Sequence, residues 1–213
     1  MEVVKIRHNT PEWLEMRRTG IGASDAAAVL GISPFKTNVE LWEEKVGLRA
    51  PDDLSDNPLV QYGKDAEDPL IRLFALDHPE LEVWQDKEVV YRNGFMFASL
   101  DAEAKEGDDL GEIENKTAEA RSAAAFKKWI GQIPDYYYAQ VVHQLAVTGR
   151  KFAYINAQIK RFYMDGTTEK ITREYRFNRD EMLTDIAYLV QKETEFWRCV
   201  ERRERPALIL PRI

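Results

Sequence analysis

The spacing of apolar and polar residues changes period along the chain, and the changes mark out its elements. In "TPEWLEMRR", Thr10 is placed to cap a helix that has Pro11 at its first position and Glu12 in its first turn. After "TGIGA", Ser24 is placed to cap a second helix, "DAAAVLG", that Gly31 closes. "ISPF" reads as a loop and "TNVELWEEKVG" as a third helix ending at Gly47. "APDDLSDNP" is the most loop-like stretch. In "LVQYGKDAEDPLIRLFALDH", Leu70, Leu73 and Phe74 recur at helical spacing and predict a long helix.

The period then shortens. "LEVWQDKEVVYRN" and "FMFASLDAEA" read as strands joined at the hairpin signal Asn93-Gly94, and "KEGDDLG" turns the chain into a strand through "EIENKTA". "SAAAFKKWIG" and "PDYYYAQVVHQLAVTG" read as helices, the second running from Pro134 to Gly149. "KFAYINAQI" and "TREYRFN" are strands around the turn "MDGTTE", and a last helix covers the stretch from Asp180 to Arg203. This order predicts a mixed α/β (α+β) domain whose central sheet is flanked by helices, not a regular βαβ repeat.

A length of 213 residues with 44% hydrophobic content fits a single domain over residues 1–213. The one cysteine, Cys199, excludes an internal disulfide and a cysteine-cluster zinc site. The sequence has no apolar leader and no membrane-length apolar run, so the expectation is a cytoplasmic protein with no membrane partner. The net charge of −7 argues at first against nucleic acid. Its distribution changes that picture. Residues 40–114 carry 7 Lys/Arg against 21 Asp/Glu, a balance of −14, whereas residues 115–161 carry 8 against 2, a balance of +6. Such segregation lets an acidic chain present a basic face.

The chemistry-bearing stretch is "GEIENKT". At period two, Glu112, Glu114 and Lys116 share one face of a strand, with Ile113 and Asn115 on the other. Asp101 lies on the preceding strand, across a tight turn. Acids brought together beside a lysine are costly unless a cation sits between them, and hard oxygen ligands favour Mg²⁺. The lysine is then placed to orient a water and to stabilise charge on a phosphate. His8, His78 and His143 are scattered, and packing is the expected role for His143.

"SLDAEA…GEIENKT" resembles the D…(D/E)xK core of the restriction-endonuclease-like nucleases. Three further blocks resemble one branch of them, the lambda exonuclease or YqaJ-like viral recombinase family. Trp13, Arg17, Ile21, Ala23 and Ser24 match the family's N-terminal signature. Gly63, Lys64 and Glu67 match its G-K-x-x-E helix, and Ile133, Pro134, Tyr137 or Tyr138, and Gln140 match its I-P-x-x-Y-x-x-Q-x-Q helix. Two departures stand out: the common "SPDG" is "SLDA" here, and Glu112 precedes Glu114 on the same face as a competing ligand.

The resemblance implies a restriction-endonuclease-like core and a site for one or two Mg²⁺ ions, with Mn²⁺ as a substitute. Asp101, Glu114 and the main-chain carbonyl of Asn115 are the implied ligands, and Lys116 and Gln140 the implied catalytic partners, with Glu67 beside them. Arg17, Ser24 and Ser99 match a 5′-phosphate pocket. Lys127, Lys128, Arg150 and Lys151 are candidates for DNA-backbone contacts, and Trp129 and Tyr136 for stacking. The implied activity is a Mg²⁺-dependent 5′→3′ double-strand DNA exonuclease working from duplex ends. It would act as a homotrimer that leaves a 3′ overhang for a single-strand annealing protein. Two alternatives stand beside it: a restriction-like or repair endonuclease with the same metal core, and a non-catalytic subunit that binds DNA ends.

Overall fold

The computed structural model describes residues 1–7 and 10–210; His8 lies outside them. The strands form two sheets rather than one. A four-stranded sheet has the order β1 (Glu2–Lys5), β4 (Val89–Asn93), β5 (Met96–Ala98), β2 (Ile21–Gly22). A five-stranded sheet has the order β3 (Glu82–Trp84), β6 (Ala102–Glu106), β7 (Asp109–Ala120), β8 (Phe152–Phe162), β9 (Thr168–Asn178). Each of the first two expected strands is therefore divided between the sheets. The chain leaves one sheet at Ala98 and enters the other at Ala102, so Ser99, Leu100 and Asp101 bridge them. Among the described residues, no helix is long and apolar enough to cross a membrane.

Seven helices are present among the described residues: α1 (Pro11–Arg18), α2 (Ala26–Val29), α3 (Asn38–Lys45), α4 (Pro58–Asp77), α5 (Ala123–Lys127), α6 (Asp135–Thr148) and α7 (Leu183–Arg202). The five-stranded sheet is covered on both faces. Ala153, Ile155, Ala157 and Ile159 of β8 pack with Val141, Val142 and Leu145 of α6 and with Ile186 and Leu189 of α7. The alternate residues Phe152 and Tyr154 pack with Ile71 and Phe74 of α4. Both sets of alternating side chains on β8 are buried, which is why its sequence reads as nearly continuous hydrophobic.

The "TGIGAS" segment departs from expectation. Ser24 does not cap the second helix; it lies exposed in the 3-10 turn Ala23–Asp25, and the Asp25 carboxylate takes the turn's cap by accepting the Gly22 N–H at 3.2 Å. The glycines allow a close approach. A Cβ at Gly20 would lie 2.6 Å from the Phe95 carbonyl oxygen, and one at Gly22 would lie 2.9 Å from the Phe97 ring. β2 therefore runs parallel to β5 with Ile21 opposite Met96 and Gly22 opposite Phe97.

The core also contains charge. His143 on α6 and Glu193 on α7 are fully buried, with His143 Nδ1 2.7 Å from Glu193 Oε1 and Nε2 3.0 Å from the Phe97 carbonyl oxygen. Acceptors at both ring nitrogens suit the doubly protonated imidazolium. Burial opposes that charge, but Glu193 and the Phe97 carbonyl outweigh it and raise the His143 pKa above the ordinary histidine value. A raised folded-state pKa contributes stability that is fully present below the unfolded value and lost as pH rises through the folded one. The melting temperature should therefore fall as pH rises from about 6 into the alkaline range, and Glu193→Gln should flatten that fall. Equal slopes for wild type and Glu193→Gln in thermal melts would contradict this assignment.

Candidate active site

The site begins where a strand ladder stops. β6 pairs antiparallel with β7 from Glu106↔Asp109 to Ala102↔Ile113, while β7 continues to Ala120 beside β8. Past Ile113, the edge of β7 that faced β6 has no partner strand among the described residues. There Asp101 substitutes for one: its Oδ2 accepts the Asn115 N–H at 2.7 Å. Because a strand residue's N–H and C=O point toward the same edge, the Asn115 carbonyl also faces this vacated side. The Asn115 side chain points the other way, its Oδ1 accepting from Asn156 Nδ2 at 3.0 Å.

Glu114 stands at the same place on the α6 face. Its Oε1 accepts from Lys116 Nζ and from Gln140 Nε2, both at 2.5 Å, and its Oε2 accepts from Gln144 Nε2 at 2.6 Å. Lys116 Nζ also donates to Gln140 Oε1 at 2.8 Å and lies 4.8 Å from the centre of the Tyr137 ring. Tyr137 is thus the tyrosine at the site; Tyr138 instead donates to Asp185 Oδ2 of α7 at 2.6 Å. Gln144 is absent from the expected set. The helix period carries its signal, because Gln144 lies four residues past Gln140 and shares its face.

The two acids of "GEIE" separate cleanly. Glu112 is opposite Glu103 inside the β6–β7 ladder and fully buried, with Thr148 Oγ1 3.1 Å from its Oε2. Burial, reinforced by the nearby charge of Glu114 and opposed by the Thr148 hydrogen bond, pushes its carboxyl well above the usual range. Glu114 is the acid that reaches the vacated edge.

The donor set suits a hard cation. Burial and the like charges of Glu114 and Glu67 hold the Asp101 carboxyl well above the usual carboxylate range, with Lys116 pulling the other way. A divalent ion between the acids removes that repulsion. Among the described residues, no three His, Cys, Asp or Glu side chains form a ready-made metal cluster. The fit rests instead on two carboxylates and one main-chain carbonyl. Glu67 is near enough to act on Asp101 electrostatically, and its carboxylate is 3.1 Å from Lys87 Nζ.

Of the residues matched to a phosphate pocket, Ser24 lies exposed just past the end of β2 and Ser99 just past the end of β5, the two strands that pair in parallel. The Ser99 hydroxyl is buried and has no hydrogen-bond partner among the described residues. Arg17 is more than a third exposed, with its Nη2 3.4 Å from Asp25 Oδ1. Behind it lies a buried pair that sequence reading missed: Lys45 Nζ donates to Asp25 Oδ2 and to the Arg17 carbonyl, each at 2.7 Å. The burial cost to Asp25 is overcome by Lys45 and Arg17, which hold its carboxyl well below the usual range.

The basic residues divide. Lys127 and Lys128 are exposed beside α5, on the side where β7 continues past the site. Lys151 is exposed at the opposite end of β7, where its N–H meets the Leu110 carbonyl. Arg150 corrects an expectation. Its guanidinium is mostly buried and committed to Glu103 and to the Tyr91 hydroxyl, so it is spent within the fold and not offered to a DNA backbone. Trp129 is buried in the core and does not present a stacking face, whereas Tyr136 is half-buried at the surface. Beyond Thr117, a groove of about 300 Å³ continues between Leu59 and Tyr62 of α4 and Lys160 and Lys170.

Removing one partner of a buried ion pair strands the other charge, at a cost of about 3–5 kcal/mol. Lys45→Met should therefore lower the urea-unfolding free energy by about that amount; a loss below about 1 kcal/mol would contradict the burial assigned to this pair.

Comparison with known proteins places the chain in a family. The model of the YqaJ-like viral recombinase domain matches residues 12–151. The uncharacterized protein YqaJ of Bacillus subtilis (strain 168) is 31% identical over 189 residues, covering 87% of this chain and 54% of the relative. The chain thus spans about half the length of that curated relative. The alkaline exonuclease LHK-Exo from Laribacter hongkongensis shares the fold at a TM-score of 0.58 and 19% identity, over 92% of this chain and 97% of that one. It has also been crystallised in complex with dAMP. A phage-related exonuclease from Haemophilus somnus 129PT aligns at a TM-score of 0.58 and 12% identity, over 86% and 96% of the two chains. The matched segment contains every element of the site, from Arg17 to Gln144, and the chain belongs to the YqaJ-like viral recombinase domain family.

Proposed function

We propose that this chain is a metal-dependent double-strand DNA exonuclease that hydrolyses phosphodiester bonds from a 5′ end and leaves a 3′ overhang. The observation that carries this reading is the convergence of Asp101, Glu114, Lys116 and Gln140 at the vacated edge of β7. Family membership and the fold shared with an alkaline exonuclease crystallised with dAMP support it.

In this reading Asp101, Glu114 and the Asn115 carbonyl hold Mg²⁺, or Mn²⁺ in its place. The bound ion supplies Lewis acidity and charge neutralisation at the phosphodiester. The chain's own residues do the rest. Lys116 presents its ammonium to the scissile phosphate and to the attacking water, while Gln140 holds Lys116 and Glu114 in register from one amide. Gln144 fixes the second oxygen of Glu114, so the carboxylate cannot rotate away. Water adds to phosphorus and the 3′ oxygen leaves. In this reading, on the family resemblance, Arg17, Ser24 and Ser99 receive a terminal 5′ phosphate: a planar fork and two hydroxyls suit its oxygens. That receptor favours an end-directed enzyme over an endonuclease with the same core. Processive digestion in a ring-shaped homotrimer, and delivery of the overhang to a single-strand annealing protein, complete the reading on the family resemblance.

The test is digestion of linear and closed-circular duplex labelled at either the 5′ or the 3′ end, with and without Mg²⁺. The 5′ label should be released first from linear DNA, only with the metal, and circles should survive. Glu114→Gln and Lys116→Ala should each lower the rate by about two to four orders of magnitude without loss of the folded state. Release of the 3′ label first would contradict the polarity, and full activity in either variant would contradict the site.

A further inference from the structure

Phe35 is 74% exposed, in the loop that joins α2 to α3. A single exposed apolar residue is ordinary. This one is held rigid from both sides. The Ser33 Oγ accepts the N–H groups of Phe35 and Lys36, at 3.1 and 3.3 Å, and the Ser33 N–H is bound to the Ala27 carbonyl. Two residues on, Thr37 closes a capping box with Glu40 at the start of α3. The loop thus presents an aromatic ring to solvent on a fixed backbone.

The ring is also the outer end of a continuous aromatic path to the site. Phe35 meets Tyr136 edge to face at 5.8 Å, and Tyr136 meets Tyr137 at 4.4 Å. The Tyr137 ring lies 4.8 Å from Lys116 Nζ. Those steps bound the distance from Phe35 to Lys116 at about 15 Å, roughly four base rises along a duplex strand. Tyr136 keeps its proton at neutral pH, its pKa pushed up to about 12 by burial and by Tyr137. The path is therefore aromatic and uncharged as far as Tyr136 and reaches a cation at Lys116.

We infer that Phe35, backed by Tyr136, is a stacking platform for a nucleobase of the DNA strand whose scissile phosphate lies at Lys116. The inference rests on the nuclease reading and adds a base-binding element to it. A π-face accepts any base, so the platform contributes affinity and placement without sequence preference. A rigid backbone lowers the cost of immobilising the ring when DNA arrives. Phe35 touches no group named in the chemistry and is a positioning residue.

The experiment uses the full chain and a 5′-phosphorylated linear duplex with 2-aminopurine at each of the terminal nucleotides in turn. In the wild-type complex, formed in EDTA, one position should show fluorescence quenched by stacking. Phe35→Ala and Phe35→Leu should both lose that quenching and raise KM about tenfold, leaving kcat within about twofold. Phe35→Trp should restore both. Tyr136→Leu, which leaves Phe35 unbacked, should move the same readouts in the same direction. Unchanged KM and quenching in Phe35→Ala would overturn the inference. So would recovery by Phe35→Leu, which would make the contact merely apolar. A change in sedimenting mass with DNA affinity intact would assign Phe35 to contact between copies of the chain and would overturn it too. If wild type digests DNA and Phe35→Ala is indistinguishable from it, only the platform falls; if wild type neither binds nor digests DNA, the nuclease reading falls with it.

Discussion

The hydrogen bond from the Asn115 amide to Asp101 Oδ2 is the interaction on which the site depends. A sheet edge normally satisfies its amides by adding a strand. Here β6 begins only at Ala102, and a carboxylate satisfies the next available amide instead. The substitution fixes Asp101 within reach of Glu114 and aims the Asn115 carbonyl at the same space. It also leaves the acids in each other's field, a repulsion that a cation held between them would relieve. The sheet switch over Ser99, Leu100 and Asp101 makes this possible, since a strand continuing straight through would have paired the Asn115 amide itself.

α6 supplies the second half of the arrangement. One face of this helix meets β7 with Gln140, Gln144 and Thr148, four residues apart, and these bind Glu114, Glu114 and Glu112 respectively. Each charge-assisted bond to Glu114 is worth about 1.5–3 kcal/mol, and losing one leaves a buried amide or carboxylate oxygen exposed to the cost of desolvation. The same helix carries His143 into the core against Glu193 of α7, and Tyr136 and Tyr137 to the surface beside Lys116. One helix therefore holds the acid, the lysine, the core charge and the aromatic path in register.

The sequence was most legible where chemistry is local. The face shared by Glu112, Glu114 and Lys116 follows from period two, a geometric consequence of neighbouring residues, whereas Asp101, expected on the preceding strand, lies in the link before β6. The Gln140/Gln144 pair was half legible, since helical spacing linked the two but only the strand opposite gave them a partner. Less legible were features built by distant segments. Nothing local divides "FMFASLDAEA" between two sheets. The ion pairs Asp25–Lys45, Arg150–Glu103 and His143–Glu193 join residues 20 to 50 positions apart. Ser24 looked like a helix cap because serine before an alanine run usually is one. Asp25 took that duty because its carboxylate was already fixed by Lys45, and Ser24 was left to face solvent.

A cation site shared by Asp101 and Glu114 at the vacated edge of β7 is tested most directly by anomalous diffraction from crystals of the protein equilibrated with Mn²⁺. A peak is expected between the Asp101 carboxylate, the Glu114 carboxylate and the Asn115 carbonyl, and it should disappear in crystals of an Asp101→Asn variant. A peak elsewhere, or an empty edge at saturating Mn²⁺, would contradict it.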